Sequence, residues 1–144
     1  MIARLWAAFL VVVTLCTFAR AESPENLYTL NCWGCHRANG EGIPGTAPPL
    51  RNAADFLRVS GGREYLIQVP GVAQSMLNDD DAAVVMNWII ENFSKGRVPA
   101  DFRPYTAQEI HDARRRERLL NITGTRKALI QKMVVQKIRP DQAL

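Results

Sequence analysis

Hydrophobic and polar positions divide this chain into an apolar start, a body with helical periodicity and a basic amphipathic end. Residues 5–18 are a largely apolar run of 14 positions behind Arg4, and Ala19-Arg20-Ala21 follows with small-x-small spacing. That is the pattern of a secretory signal peptide over 1–21, cleaved after Ala21. The run falls short of the roughly 20 apolar residues that a membrane span needs. Attachment to a membrane is therefore expected only if the segment stays uncleaved. Cys16 lies inside it and reads as an ordinary apolar residue of the signal.

Ser23-Pro24 opens a helix, with proline in its first turn. It runs through Leu27 and Leu30, three apart and so on one face, into residues 32–36. Residues 39–50 are rich in Gly and Pro and read as a loop. Short helices are expected over 53–59 and 62–69, with Pro70-Gly71 breaking the second. Asp79-Asp80-Asp81 then starts a long helix, because three carboxylates suit the positive end of a helix dipole. Val84, Val85, Trp88, Ile89 and Phe93 give it an apolar face, and Lys95-Gly96 ends it. Pro99 and Pro104 predict an extended strap over 97–105. Thr106 and Glu109 form a capping box at the start of a helix expected over 106–120. A second tail helix is expected over 125–138, with Leu129, Ile130, Met133, Val134 and Ile138 on one stripe and Lys127, Lys132 and Lys137 opposite. No segment alternates as a strand would. The expected architecture is all-α: a signal peptide over 1–21, a domain over 22–96, and a strap with a basic helical hairpin over 97–144.

Charge follows the same division. Residues 22–99 hold six Lys and Arg against nine Asp and Glu, a net of −3, whereas 100–144 hold ten against five, a net of +5. Such asymmetry points either to a docking partner or to a solvated helix face. It does not point to nucleic acid, because the chain carries an export signal and no aromatic residues interleave the basic ones. The apolar stripe of the tail likewise has two readings. The tail folds back on its own domain, or it docks a partner.

The candidate chemistry lies in Cys32-Trp33-Gly34-Cys35-His36. Two cysteines three apart with histidine directly after the second are the attachment pattern of a c-type haem. One helical turn puts both thiols on one side of the backbone, where each can form a thioether to the porphyrin. His36 then falls under the iron as an axial imidazole. In an exported chain the same cysteines could instead pair with each other or bind zinc. Zinc wants further ligands, however, and His111 is the one histidine outside the motif. A redox Cys-x-x-Cys wants a βαβ context that this chain lacks. One covalent haem c is the expected cofactor.

With these residues the chain resembles class I c-type cytochromes over about 23–96: a helix entering the haem motif, the Pro48-Pro49-Leu50 loop, a short helix, and a last helix rich in Val, Ile and Trp. The resemblance implies a small all-α domain whose first and last helices cross near the haem edge. It implies Cys32 and Cys35 as the covalent attachments and His36 as the proximal ligand. It implies that Pro48, two residues before Leu50, offers its carbonyl to the other ring nitrogen of His36. It makes Met76 the sixth ligand, from the loop before the last helix. The family's methionine is usually followed by proline, and here Leu77-Asn78-Asp79 follows at once. Loop packing is the other reading of Met76. Met86 and Met133 read as core, the latter also as a partner contact, and His111 as a structural residue or an unusual distal ligand.

The function so implied is a periplasmic monohaem carrier that moves single electrons between redox proteins such as a dehydrogenase, an oxidase or a reductase. No carboxylate pair, Ser/His/Asp set or phosphate loop points to catalysis by the polypeptide, so the chain reads as no enzyme. The alternatives are an obligate haem subunit of a larger oxidoreductase, fixed there by the tail, and a haem enzyme or gas sensor with an open distal site.

Overall fold

The computed structural model describes residues 21–138. Apart from Ala21, the expected signal peptide lies outside the described residues, as do residues 139–144. Among the described residues the fold is all-α, and none of its helices is long and apolar enough to cross a membrane.

Helix α1, Pro24–Asn31, starts where Ser23 Oγ accepts the Asn26 amide at 3.2 Å, with Pro24 in the first turn. The backbone breaks at Cys32 (φ −120°), and α2, Trp33–His36, is a separate single turn. A 3₁₀ helix spans Ala53–Arg58, and α3 spans Gly62–Gln68. Pro70 does more than break α3: it also starts the short α4, Pro70–Ala73, where its missing N–H is no loss. Helix α5, Asp79–Phe93, carries the three expected carboxylates in its first turn, and Asn78 caps it by accepting the Asp81 amide at 2.8 Å.

α1 and α5 pack together. Tyr28 lies with its ring centre 5.3 Å from that of Trp88 and 5.0 Å from that of Phe93, and Trp88 meets Phe93 edge-on at 5.4 Å. This aromatic trio joins a core that includes Leu27, Phe56, Tyr65, Val85, Met86, Ile89 and Ile90. Three positions leave the expected faces. Val84 and, on the tail stripe, Val134 are exposed, and Leu30 is 75 % exposed although it sits three residues from buried Leu27. The buried face of α1 is centred on Leu27 and Tyr28, and Leu30 lies on the side of Leu27 away from Tyr28, close to the motif in sequence.

The tail folds back on the domain. Its strap is held by Asn87, whose side chain accepts the Tyr105 amide at 2.7 Å and donates to the Tyr105 carbonyl at 3.0 Å. Arg63 stacks over the Tyr105 ring at 4.1 Å, donates to the Arg103 carbonyl and pairs with Glu109 at 2.9 Å. Helix α6, Ala107–Arg115, has the expected Thr106–Glu109 capping box. It stops five residues before the expected position 120, because Arg116 turns extended (φ −74°, ψ 162°). Helix α7, Ile122–Val135, starts earlier than expected because Asn121 caps it by accepting the Gly124 amide at 2.9 Å. α6 packs on α3, α4 and α5, burying Ile110 and Ala113; α7 packs on α3 and the 3₁₀ helix, burying Leu129 and Met133. Charges of opposite sign meet at this seam: Arg63 with Glu109, and Arg114 with Asp79. The two pairs run in opposite senses across the seam, so they tie tail to domain but leave the charge asymmetry between them unchanged.

Candidate haem site

The single turn of α2 does what the spacing requires. The His36 and Cys35 amides both donate to the Cys32 carbonyl, at 2.9 and 3.2 Å, so the two cysteines and the histidine share one turn of backbone. Both thiols are free. Cys32 is half-buried and Cys35 exposed. Burial, with the nearby Cys35, pushes the Cys32 thiol up to about 11. A thiol-exchange cysteine needs the opposite shift, because the thiolate is the reactive form. The chain leaves the motif through Arg37 in the left-handed region (φ 61°), and the buried Tyr28 hydroxyl holds that bend by donating to the Arg37 carbonyl at 2.5 Å.

Residues 39–50 then fold back over the histidine. The Gly42 amide donates to the His36 carbonyl at 3.1 Å, Ile43 and Ala47 exchange hydrogen bonds at 2.8 and 2.9 Å, and the Leu50 amide donates to the Gly40 carbonyl at 2.7 Å. Gly42 sits at φ 75°, and a Cβ there would lie 2.2 Å from the Ala47 carbonyl oxygen, so this turn requires glycine. The result places the Pro48 carbonyl 3.1 Å from His36 Nδ1. A carbonyl can only accept, so this bond puts the ring proton on Nδ1 and leaves the Nε2 lone pair for a metal. Burial lowers the pKa of His36 while the Pro48 bond opposes that shift, and the net effect favours the neutral ring, the ligand form. Leu50 is half-buried against the core, and its carbonyl accepts from the buried Ser94 hydroxyl at the end of α5, at 3.4 Å.

Met76 stands on the bend between α4 and α5, 96 % exposed. The bend is tied to the tail. Arg114 donates to Asp79 at 2.6 Å, to Ser75 Oγ at 2.9 Å and to the Val72 carbonyl at 3.4 Å. His111 lies against the other oxygen of Asp79 at 3.0 Å. Met86 and Met133 are buried in the core.

The donor set suits a covalent haem: two free thiols on one turn, an imidazole with its tautomer fixed by a carbonyl, a thioether on an exposed bend, and exposed apolar side chains at Leu30 and Trp33 beside the motif. Sequence reasoning did not single out Arg114. The available signal was its spacing from His111, since residues three apart share a helix face.

A helical domain with this motif and this carbonyl-oriented histidine has the form of a haem-bearing electron carrier. The sequence model of the family "Cytochrome c" matches residues 22–92. Cytochrome c-552 of Thermus thermophilus is 37 % identical over 102 residues, covering 58 % of this chain and 78 % of that protein. A second cytochrome c-552, from a named strain of Thermus thermophilus, is also 37 % identical over 102 residues, with 69 % of its length covered. The chain belongs to the cytochrome c family, as a class I c-type cytochrome: a haem protein of electron transfer.

Proposed function

We infer that the chain is a periplasmic monohaem carrier that passes single electrons between redox proteins. The observation that carries this reading is the Pro48 carbonyl on His36 Nδ1, next to two free cysteines on the same turn. When bound, haem c supplies the one-electron chemistry. Cys32 and Cys35 anchor it, and His36 presents Nε2 as the proximal ligand. Pro48 orients that ring and makes it a better donor. Leu50 packs the loop behind it, and Met76 offers the thioether as sixth ligand, which favours the reduced state and closes the distal side. The reading of the chain as a free carrier, rather than a subunit fixed by its tail, is supported by Ile110, Leu129 and Met133, which the tail buries against its own domain.

The test is the visible spectrum of the exported holoprotein with and without Met76→Ala. A closed carrier shows a thioether-to-iron charge-transfer band when oxidised and resists carbon monoxide when reduced; Met76→Ala removes the band and admits the gas. Rapid carbon monoxide binding by the unmodified protein would instead support the haem enzyme or gas sensor. A monomeric purified protein separates the carrier from an obligate subunit.

A further inference from the structure

The tail helix α6 is docked by Ile110 and Ala113, and that docking aims the neighbouring turn, His111 and Arg114, at the start of α5. Arg114 bridges the bend that carries Met76. One of its terminal nitrogens reaches the α4 side, at Ser75 Oγ and the Val72 carbonyl, and the other reaches Asp79, the first residue of α5. Ser75 precedes Met76 directly and Asp79 follows it by three residues, so one guanidinium holds both ends of the segment. A planar fork suits this task, since it meets a carboxylate and a second acceptor without losing much rotamer freedom. Met76 itself has almost no packing, at 96 % exposure, so the position of its sulfur follows the bend.

We propose that Arg114 is a positioning residue for the sixth-ligand loop, through which the docked tail sets how firmly the Met76 thioether is held. The proposal rests on the reading of Met76 as the ligand. The tail is then part of the redox apparatus without touching the haem.

The experiment compares full-length holoprotein variants. Arg114→Ala removes the bridge. Arg114→Lys keeps a charge for Asp79 but loses the fork to Ser75 and Val72. Arg63→Ala loosens the strap elsewhere and leaves the bend alone. Three properties are read: the charge-transfer band of the oxidised protein, the rate of carbon monoxide binding to the reduced protein, and hydrogen exchange of the amides over 72–79. Arg114→Ala is expected to weaken the band and to speed both gas binding and local exchange by about tenfold, the equivalent of losing one charged hydrogen bond. Arg114→Lys is expected to fall between it and the unmodified protein, and decides the question if Arg114→Ala does not fold. Arg63→Ala is expected to change all three much less than Arg114→Ala, because Ile110 and Ala113 still dock α6 and the Arg114 bridge stays in place. An unaltered band, gas-binding rate and exchange in the Arg114 variants overturn the proposal, as does an equal effect from Arg63→Ala, which would mark a merely structural role. If Met76→Ala changes neither the band nor gas binding, the ligand reading falls and takes the proposal with it. If Met76→Ala opens the site and Arg114→Ala does not, the proposal alone fails.

Discussion

The two sides of this site are held by different means. His36 is fixed by backbone close to it in sequence: its own turn, a glycine loop that returns after a few residues, and the carbonyl of Pro48 twelve positions on. The Met76 bend is fixed by side chains from α6, with Arg114 lying 39 positions from Ser75 and 35 from Asp79. The proximal side is a local motif that forms whenever the loop closes. The Met76 bend, the proposed distal side, is a tertiary arrangement held by contacts from the docked tail. Damage to the loop should therefore affect the proximal side first, and damage to the tail should affect the distal side while sparing the histidine.

The largest effect is expected from Gly42→Ala. The substitution meets a positive φ and a carbonyl oxygen 2.2 Å from the new Cβ. The loop must open to accept it, at a cost on the order of 3 kcal/mol or more. Thermal unfolding should show the loss, and the yield of protein with covalent haem should fall as His36 loses its Pro48 partner. Gly34→Ala is the matched control, because nothing lies within 4 Å of a Cβ there and its φ is ordinary. Equal behaviour of the two variants would break the claim that loop backbone sets the proximal side.

Ile110→Ala attacks the other side. Ile110 is fully buried on α6, and its truncation should cost roughly 2–4 kcal/mol through lost contacts and a residual cavity. Hydrogen exchange should rise over 106–135 and over the Met76 bend, while the loop over 39–50 stays protected. Uniform loss of protection across the chain would mean that the two sides unfold together.

The same contrast explains what could be read from the sequence. Cys32, Cys35 and His36 are legible because their chemistry depends on spacing within one turn, and the resemblance to class I cytochromes places Pro48 by its position two residues before Leu50. The long helix α5 is legible from its acidic start and its apolar face. The tail's fold-back was one of two readings, because an apolar stripe shows that a surface is needed but not which one. Arg114 was not legible, since an arginine aimed at a helix start and one aimed at solvent carry the same letter. Leu30 was misplaced because three-residue spacing from Leu27 does not say on which side of Leu27 the buried face lies, and buried Tyr28 puts it on the side away from Leu30.

Tyr28→Phe refines the proximal side at smaller cost. Burial pushes the Tyr28 hydroxyl up to about 12, so it stays a donor at any physiological pH, and its bond fixes the carbonyl of Arg37 where the chain leaves the motif. Removing it should cost about 1 kcal/mol while the ring keeps its contacts with Trp88 and Phe93. The melting temperature should fall by a few degrees, as is usual for about 1 kcal/mol in a domain of this size. Exchange should rise at residues 37–42 and stay unchanged in the tail.

The smallest effect concerns pH. Arg63 bonds the Glu109 carboxylate and holds its pKa below the ordinary carboxylate value, against a smaller opposing effect of burial. The folded state therefore favours deprotonated Glu109. Its contribution is complete above the unfolded carboxylate pKa and is lost as pH falls through the lowered folded value, so the strap should loosen only below about pH 4. The pair is partly exposed, which limits its worth to less than about 1 kcal/mol and makes it sensitive to salt. Protection over 103–115, corrected for the intrinsic fall of amide exchange with pH, should be lost between pH 6 and pH 3 before protection over 39–50 is, and Glu109→Gln should remove most of that difference. The loop carries a carboxylate of its own, Glu41, whose pKa is lowered by its own amide and by Asn39. The comparison is therefore made with Glu41→Gln. A loop that then still loosens at the same pH as the strap would show that the proximal side also depends on the tail, and the separation between a local side and a tertiary side would not hold.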